Sequence, residues 1–463
     1  MTYCCFSDST EKVNLVMKVK VLSRNPKDYQ RETIDDIHKM PKNPCETQHP
    51  LAVDREYVKA LNAAKISKMM AKPFIGALEG TTEIMTVLSL NSEVLNLAVF
   101  GTADGKVQYW DIAGRKLTKE MQAHDSEVTG ICHFNKASLI YTCSLDSQLK
   151  QWRMDHDHVE EAWKEPLSTI ILKWSPHCLD HHRSQNQFLV GGSESCLLYN
   201  ADRLDCPLQE WTWGREAIHC AKFNPVEQNV VSILTKDNSI ILADSRQGSS
   251  LRKVKMNLKL NSFSWNPMEP FIFTGASDDY NLYTYDTRYF KYPRRIFRGH
   301  VNAVMDVDYS PTGTELVSGS YDGSIRLWKV DQTGACDVYH AKRMKRVLSV
   351  RYSLDSQYIF SSSSDQNVRL WKAHANDKLG VLNPRQRLAL AESEALRIKY
   401  KEHPEVRRIL NRKHLPKSLL VQSKELKIIH AKQKRKERNV RVHTNSQEPI
   451  VPERERHTTA LYK

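Results

Sequence analysis

An aspartate followed six residues later by a tryptophan recurs along this chain at intervals of about 42 to 43 residues. The complete pairs are Asp104/Trp110, Asp146/Trp152, Asp322/Trp328 and Asp365/Trp371. Asp146 and Asp322 are 176 residues apart, and weaker copies at Glu194, Asp237 and Asp279 lie between them. Seven marks at one period predict seven copies of a single supersecondary unit that stack against one another.

Each repeat contains short alternating apolar runs separated by Gly, Asp, Asn and Ser turns, which is typical of β-strands. The period, with Gly-His near the start and Trp-Asp at the end, predicts an all-β, seven-bladed WD-repeat β-propeller. We place the blades at residues 80–112, 115–153, 166–200, 209–246, 252–288, 293–330 and 336–372. Each blade is expected to run from an inner strand through a middle strand to a third strand ending at the aromatic residue. A strand at 74–77 is expected to supply the outer edge of the seventh blade, because closure removes a free sheet edge.

The repeats divide the chain into three predicted parts. Residues 1–72 form an N-terminal extension with one helix at 54–70 behind Asp54 as N-cap, residues 73–372 form the ring, and residues 373–463 form a basic helical C-terminal domain. In that last part Asn383 precedes a proline at the first helical position, and a second helix is expected from Pro416 and Lys417. Apolar residues at helical spacing follow each start: Leu388, Leu390, Ala395, Leu396 and Ile398, then Leu419, Leu420, Leu426, Ile428 and Ile429.

The net charge of +14 is concentrated in the C-terminal part, where 22 Lys and Arg face 10 Asp and Glu in residues 373–463. Such a balance indicates nucleic acid, an anionic membrane or an acidic protein surface as partner. The densest run contains Lys432, Lys434, Arg435, Lys436 and Arg438. It fits a solvated helix face, a nuclear-import signal or an RNA-contacting helix, and the residues alone leave all three open. The run lacks an aromatic platform, which disfavours sequence-specific reading of bases.

Cysteine usage and hydropathy indicate the compartment. Ten cysteines occur without a Cys-x-x-Cys pair, and several lie in strand-like apolar runs, so we expect buried free thiols in a reducing compartment. Residues 1–16 lack a basic segment followed by an apolar one, and no window approaches 18 consecutive apolar residues. We therefore expect neither a secreted protein nor a membrane partner.

Two blades contain the full set of polar residues that a WD repeat buries. The sets are His124, Thr142, Asp146 and Trp152, and His300, Ser318, Asp322 and Trp328. We interpret both as structural tetrads, since each buried polar group must find a partner. A catalytic His/Ser/Asp triad is disfavoured because these residues occupy repeat-fixed positions within sheets. Blade one has Thr81 and blade seven has Arg343 where the histidine is expected.

Other chemistry finds little support in the sequence. Asp180, His181 and His182, with His177 and Cys178 nearby, invite a metal site, but adjacent histidines point apart on an extended segment and no second ligand cluster follows. Neither a Gly-x-x-x-x-Gly-Lys-Ser/Thr loop nor a Gly-x-Gly-x-x-Gly after a strand is present. We expect no catalytic residues, no metal and no cofactor.

Segments outside the repeats resemble one known family. Residues 17–26, 54–74, 265–269, 279–284, 378–382 and 414–418 are similar to the WD repeat and SOF domain-containing protein family, over roughly residues 17–460. Residues 1–16 precede the usual start of that family, which makes Met17 an alternative initiator to Met1.

The resemblance implies a non-enzymatic nucleolar assembly factor of the small-subunit processome. Its implied partners are processome proteins, pre-rRNA and the small nucleolar ribonucleoprotein that pairs with it. The alternative is a substrate receptor of a cullin-RING ubiquitin ligase, which docks on its adaptor through a Trp-Asp-x-Arg box. The nearest matches are Asp244 with Arg246 and Asp286 with Arg288. Both lack the tryptophan, and an ion pair that closes a strand end is their ordinary explanation.

Overall fold

A computed structural model describes residues 51–81, 83–91, 94–134, 139–153, 165–212, 217–443, 451–452 and 454–462. The alternative start at Met17 and the family-like segment 17–26 lie outside these residues. By its contacts the chain forms two compact units. One contains the first helix and residues 378–410, and the other contains residues 70–377 and 411–463. The predicted C-terminal domain at 373–463 is therefore divided between the two units.

The larger unit is a ring of seven antiparallel sheets, which confirms the predicted propeller. Blades one to three contain β2 (Met85–Leu90), β3 (Leu97–Thr102), β4 (Lys106–Asp111) and β5 (Lys116–Gln122); β6 (Val128–Phe134), β7 (Leu139–Ser144), β8 (Gln148–Arg153) and β9 (Ser168–Ile171); and β10 (Pro176–His181), β11 (Gln187–Gly192), β12 (Cys196–Asn200) and β13 (Gln209–Trp211).

Blades four and five contain β14 (Ile218–Phe223), β15 (Val230–Thr235), β16 (Ser239–Asp244) and β17 (Ser250–Met256); and β18 (Leu260–Trp265), β19 (Ile272–Ser277), β20 (Asn281–Asp286) and β21 (Arg295–Arg298). Blades six and seven contain β22 (Val304–Tyr309), β23 (Glu315–Ser320), β24 (Ile325–Lys329) and β25 (Ala335–Tyr339); and β26 (Val347–Tyr352), β27 (Tyr358–Ser363), β28 (Asn367–Lys372) and β1 (Phe74–Leu78).

The strand at the start of the ring closes the last blade, as predicted. β1 pairs antiparallel with β28, with Phe74 opposite Trp371 and Leu78 opposite Val368. The predicted strand order within each repeat needs a correction, because every later sequence range opens with the outer strand of the preceding blade. Lys116–Gln122, for example, pairs with β4 and not with β6. The repeat in the sequence is thus offset by one strand from the sheet, and each repeat is hydrogen-bonded to its neighbour.

The hydrophobic core lies between adjacent blades. Seven clusters of buried side chains occur among the described residues, one at each junction, including the junction of blades seven and one. Because both faces of each sheet pack against a neighbour, the middle strands are buried without alternation; all six residues of β19 are buried. Blades three and five lack the tryptophan but retain the packing, since Tyr199 stacks on Phe188 and Tyr285 on Phe273.

The smaller unit contains α1 (Ala52–Met69), α2 (Pro384–Lys399) and α3 (Pro404–Leu410). Helix α1 confirms the predicted helix, but it begins two residues before Asp54, which lies in the first turn and is not the N-cap. Tyr57 donates a hydrogen bond to Glu405 at 2.6 Å, and the Lys399 ammonium lies 2.6 Å from Glu56. Asn383 precedes α2 as predicted. His403 immediately precedes Pro404, the first residue of α3.

The larger unit also contains α4 (Lys417–His443), which begins where Pro416 and Lys417 predict it. A 3₁₀ turn at Glu455–His457 leads into β29 (Thr458–Tyr462), which was not predicted. β29 pairs antiparallel with β17 and makes blade four five-stranded. Within the described residues, no helix combines the length and apolar character needed to cross a membrane.

Candidate functional site

The structure brings together all four side chains of each tetrad. In blade two, the ring nitrogens of His124 lie 3.0 Å from the Asp146 carboxylate and 2.9 Å from the Thr142 hydroxyl. Trp152 donates its indole N–H to the same hydroxyl at 2.9 Å. Because the carboxylate can only accept, the imidazole proton lies on Nδ1 and Nε2 accepts from the hydroxyl. One chain of hydrogen bonds therefore joins β7, β8, the turn between them and the loop before β6.

The tetrad of blade six repeats this geometry with shorter distances. His300 lies 2.9 Å from Asp322 and 2.7 Å from Ser318, and Trp328 donates to Ser318 at 2.8 Å. Asp322 also accepts the backbone N–H and the hydroxyl of Ser324 at 2.8 and 2.6 Å. Its side chain is only 1% exposed. Every polar atom of the set is bonded within the blade, which fits a structural role and leaves no free nucleophile for a substrate.

Blades one and seven lack the histidine, and other side chains complete parts of their hydrogen-bond sets. In blade seven Trp371 donates to Ser361 at 2.9 Å, as in the full tetrads. The carboxylate of Asp365 is held by both terminal nitrogens of Arg369, a residue of the same turn and strand. In blade one the indole of Trp110 donates to the side-chain oxygen of Gln108 at 3.2 Å. Arg369 and Gln108 were missed by sequence reasoning because they lie outside the repeat positions that define the tetrad.

Acidification from pH 7.5 to 5.5 is expected to destabilise the ring in part through His300. Burial is the largest influence and lowers the pKa of this imidazole, although Asp322 acts to raise it. The folded chain then binds fewer protons here than the unfolded chain, so stability falls as the pH drops below the unfolded value of 6.5. Urea unfolding at about these two pH values should show a smaller loss in His300→Gln than in the wild-type chain. An equal loss in both would contradict this assignment.

The two candidate docking boxes form identical clasps at the ends of β16 and β20. Arg246 donates to both oxygens of Asp244 at 3.1 and 2.9 Å. Arg288 does the same to Asp286 at 3.1 and 3.0 Å. Hydrogen bonds from Arg246 lower the pKa of the Asp244 carboxyl despite its partial burial. Burial raises the pKa of Asp286, but the hydrogen bonds from Arg288 outweigh it and leave the pKa below its usual value.

In both clasps the arginine side chain is accessible, and another residue occupies the position of the missing tryptophan. The side chains of Arg246 and Arg288 are 70% and 58% exposed, whereas their aspartates are nearly buried. Ala243 and Tyr285 stand at the tryptophan positions and are fully buried in the junctions between blades. Phe271 lies beneath Arg288, whose guanidinium carbon is 4.8 Å from the ring centre. Adjacent blades thus present two cationic planes at the same strand end.

Helix α4 carries most of the predicted basic run. Its 27 residues include nine Lys and Arg against two Glu, and its one buried residue is Leu419 near the start. Lys432, Lys434, Arg435, Lys436 and Arg438 are all exposed. At about 100° per residue, these five positions surround much of the helix. The predicted apolar positions Ile428 and Ile429 are also exposed, at 67% and 49%, so the other described residues cover little of the second half of the helix.

The C-terminal residues attach the helix end to blades four and five. Arg456 forms an ion pair with Glu437 of α4 at 3.1 Å. The next residue, His457, lies 2.9 Å from the hydroxyl of Tyr283, which also donates to Asp279 at 2.7 Å. β29 then pairs with β17 and continues the sheet of blade four. Glu437 lies on the side of α4 that contacts Arg456, and the basic positions occupy the remaining sides.

Three of the residues that suggested a metal site, Cys178, Asp180 and His182, form hydrogen bonds within the ring. His182 faces the backbone oxygen of Gln228 at 2.9 Å and accepts N–H groups from its own turn. Asp180 accepts the N–H of Phe223 at 2.7 Å, and burial, the largest influence, raises its pKa to about 6. Cys178 is a buried free thiol, as are Cys132, Cys143, Cys196 and Cys220. Across the described residues, no three metal-ligating side chains converge.

Comparison with known proteins joins the ring and the basic C-terminal segment in one family. The Sof1-like domain matches residues 373–458, and the WD domain, G-beta repeat, matches residues 115–153, 291–329 and 338–372. The chain is 41% identical to DDB1- and CUL4-associated factor 13 of Danio rerio, covering 96% of this chain and 100% of the relative. It is 36% identical to Protein SOF1 of Saccharomyces cerevisiae, covering 95% and 94% of the two chains.

A solved structure supports the fold independently. The WD40 β-propeller domain of Doa1 superposes with a TM-score of 0.54 at 15% identity, covering 65% of this chain and 96% of that domain. Identity at this level bears on the fold alone, whereas the near-complete coverage of the sequence relatives bears on the whole chain. With a WD-repeat ring and a Sof1-like domain, the chain belongs to the family of SOF1 and DDB1- and CUL4-associated factor 13.

Proposed function

We propose that this chain is a non-enzymatic nucleolar scaffold of the small-subunit processome that contributes to pre-rRNA processing. Family membership gives the setting, and the exposed basic half of α4 is the observation that carries the proposal. The net charge of +12 in residues 373–463 suits phosphate contacts, whereas the rest of the chain has a net charge of +2. The ring would present its faces to partner proteins while α4 lies among RNA phosphates.

The distribution of charge on α4 indicates how it would bind. Lys434 and Arg438 lie one turn apart on one side, and Lys432, Arg435 and Lys436 lie on the other. A helix with cations on both sides contacts more than one phosphate backbone when it is inserted between strands. Attachment of Glu437 to Arg456 fixes the rotation of the helix. We infer that α4 is threaded into folded RNA and not laid on a single surface.

The test of this function is association with pre-ribosomal particles. A full chain with all five residues changed to glutamine should fold normally but move from the particle fractions to the top of a sucrose gradient, and unprocessed pre-rRNA should accumulate. A control chain carries five glutamines at exposed ring cations: Lys116, Lys173, Arg183, Arg203 and Lys329. Co-sedimentation of the α4 variant at the control's yield would overturn the proposal.

The clasps favour a second function, that of a cullin-RING substrate receptor. Relatives are named for association with DDB1 and CUL4. Among the seven third strands, only those of blades four and five are followed by an Asp-x-Arg sequence. We infer that Arg246 and Arg288, fixed by their aspartates and exposed at one edge, dock on the ligase adaptor. Bidentate pairing holds each guanidinium in place before binding, which reduces the entropy lost on docking.

Charge reversal at both clasps should separate the two functions. Arg246→Glu with Arg288→Glu is expected to weaken binding of purified DDB1 by about tenfold or more, since buried like charges cost several kcal/mol at an interface. Association with pre-ribosomal particles should be unchanged. A matched control reverses Arg183 and Lys329, two exposed cations elsewhere on the ring. If DDB1 binds both variants as tightly as the wild-type chain, the clasps only close strand ends.

A further inference from the structure

One face of the ring carries the turn that follows each middle strand and the residues that precede each inner strand. Backbone hydrogen bonds join these two segments in every blade where they are described together, as from Tyr321 to Ala303 and from Ser364 to Arg346. The same face contains the contact of His300 with Asp322, and we call it the tetrad face. Residues of these turns from neighbouring blades are therefore neighbours on one surface.

Tyr280 occupies a strained position on the tetrad face. Its φ of 63° lies in the left-handed region, which a bulky side chain rarely adopts. In other blades the equivalent turn position holds glycine or a smaller polar residue: Gly105, Ser147, Asn238, Gly323 and Gln366. Tyr280 is also 37% exposed, so core packing does not account for the side chain. Strain of this kind at an exposed residue points to a function of the ring itself.

A second tyrosine lies on the next blade beside it. Tyr280 and Tyr321 line the same cavity of about 450 Å³, together with Asn302 and with Gln422 and Glu425 of α4. Tyr321 also borders a second cavity of about 450 Å³, which it shares with Lys345 and Arg346 of blade seven. The two cavities form a groove that passes both rings on one surface of the larger unit.

The far end of the groove is strongly basic. Lys342, Arg343, Lys345 and Arg346 precede the inner strand of blade seven, and all four are exposed. The Arg346 guanidinium carbon lies 5.4 Å from the centre of the Tyr321 ring. The loop is packed close to the turn of blade six, since a Cβ added at Gly323 would stand 3.0 Å from the carbonyl oxygen of Lys345. Asp322 offers no free acceptor here because its carboxylate is bonded to His300 and Ser324.

We propose that this groove binds a short segment of single-stranded RNA. Aromatic rings beside cations are the arrangement with which proteins bind single strands, since each ring stacks on an unpaired base while Lys and Arg neutralise phosphates. Tyr280 and Tyr321 would stack on bases, and the loop of blade seven would contact the backbone. The groove is bordered by the start of α4, so one RNA strand can continue toward the basic half of that helix. The inference rests on the proposed function for RNA as the partner and adds a contact on the ring.

Substitution of Tyr280 by glycine gives a direct test. Glycine removes the aromatic ring and also relieves the left-handed strain, so the melting temperature should stay equal or rise. Affinity for a fluorescein-labelled uridine decamer, measured by anisotropy with the full chain, should fall by about tenfold. Tyr321→Leu should weaken binding similarly, and the double variant by about a hundredfold. A purely structural role would lower stability and leave RNA affinity unchanged.

The matched control is Tyr289→Ala, which removes a tyrosine that is 78% exposed and follows the opposite end of β20. It should bind the decamer as the wild-type chain does. Equal affinity of Tyr280→Gly and wild type for the decamer would overturn the inference. Binding of duplex RNA as tightly as the decamer would also overturn it, because duplex bases cannot stack on the rings. Binding of polyglutamate that depends on Tyr280, without binding of the decamer, would overturn it as well. If the α4 variant leaves the particles while both tyrosine variants bind RNA normally, the proposed function stands and the groove fails. If the α4 variant stays with the particles while the tyrosine variants lose RNA binding, the groove stands and the role proposed for α4 fails.

Discussion

Asp322→Ala is expected to destabilise the ring by about 3 kcal/mol or more, because it leaves several buried donors without an acceptor. The donors are the His300 imidazole, the backbone N–H of Val301, and the backbone and hydroxyl of Ser324. The loop before β22 and the turn between β23 and β24 lose their common partner at once. A closed ring transmits that loss to both junctions, since the side chains of blade six complete the clusters with blades five and seven. Tryptophan fluorescence during thermal and urea unfolding would measure the change.

The repeat supplies its own control for this prediction. Asp104→Ala changes the same repeat position in blade one, where Thr81 replaces the histidine and Asp104 is exposed. It should alter stability by less than about 0.5 kcal/mol. Asp146→Ala, in the other full tetrad, should resemble Asp322→Ala. If Asp322→Ala and Asp104→Ala melted alike, the tetrad would contribute no more than a surface aspartate, and the ring would depend on its apolar junctions alone.

The number of blades was predictable because burial imposes the same spacing on every repeat. The weak copies at Glu194, Asp237 and Asp279 count as blades even though their third strands end in Tyr199, Ala243 and Tyr285, which fill the tryptophan volume or leave it to neighbours. The sequence of a single repeat did not show which of its strands belongs to which sheet. A strand such as β5 has one exposed face, so its sequence fits either sheet, and only hydrogen-bond pairing assigns it to blade one.

Long-range pairing also explains the elements that sequence reasoning missed. β29 is five residues long and carries no turn signal that distinguishes it from an extended tail, yet the edge of β17 gives it a partner. Arg369 became the partner of Asp365 because blade seven lacks the histidine, a compensation that no repeat position encodes. The helices were more accessible to prediction, since Asn383 and Pro416 mark starts locally. Their apolar faces were misleading, because no residue of α2 is buried within the described chain.

Site residues that are close together in the sequence could be predicted, whereas those that come together only in the fold could not. The Asp-x-Arg spacing of the clasps is local, so both pairs could be named, although their bidentate geometry and exposure needed the structure. The groove of Tyr280 and Tyr321 is formed by three blades and α4. No sequence motif predicts it, because its residues are far apart in the sequence. Its strongest signal was present in the sequence, since a tyrosine occupies a turn position where other blades have glycine or a smaller polar residue. Residues that break a local rule are where function is expected.

Changing Lys432, Lys434, Arg435, Lys436 and Arg438 together to glutamine is expected to remove most of the salt-dependent binding of single-stranded RNA. If each cation neutralises one phosphate, the plot of log affinity against log salt should become shallower by about 3.5, at about 0.7 for each contact. Between about 50 and 200 mM salt, the wild-type chain should then lose about a hundredfold more affinity than the variant. Glutamine preserves helix propensity, so the helix content of α4 should persist.

The control for this experiment is the chain with glutamines at Lys116, Lys173, Arg183, Arg203 and Lys329, which has the same net charge as the α4 variant. If long-range attraction by total charge drives binding, both chains should show the same shallower slope. If α4 contacts phosphates directly, the control should keep nearly the wild-type slope, because exposed charges more than about 10 Å from the RNA are screened at physiological salt. The difference between the two slopes therefore measures what the position of the charges contributes beyond their number, and a difference near zero would contradict direct contact by α4.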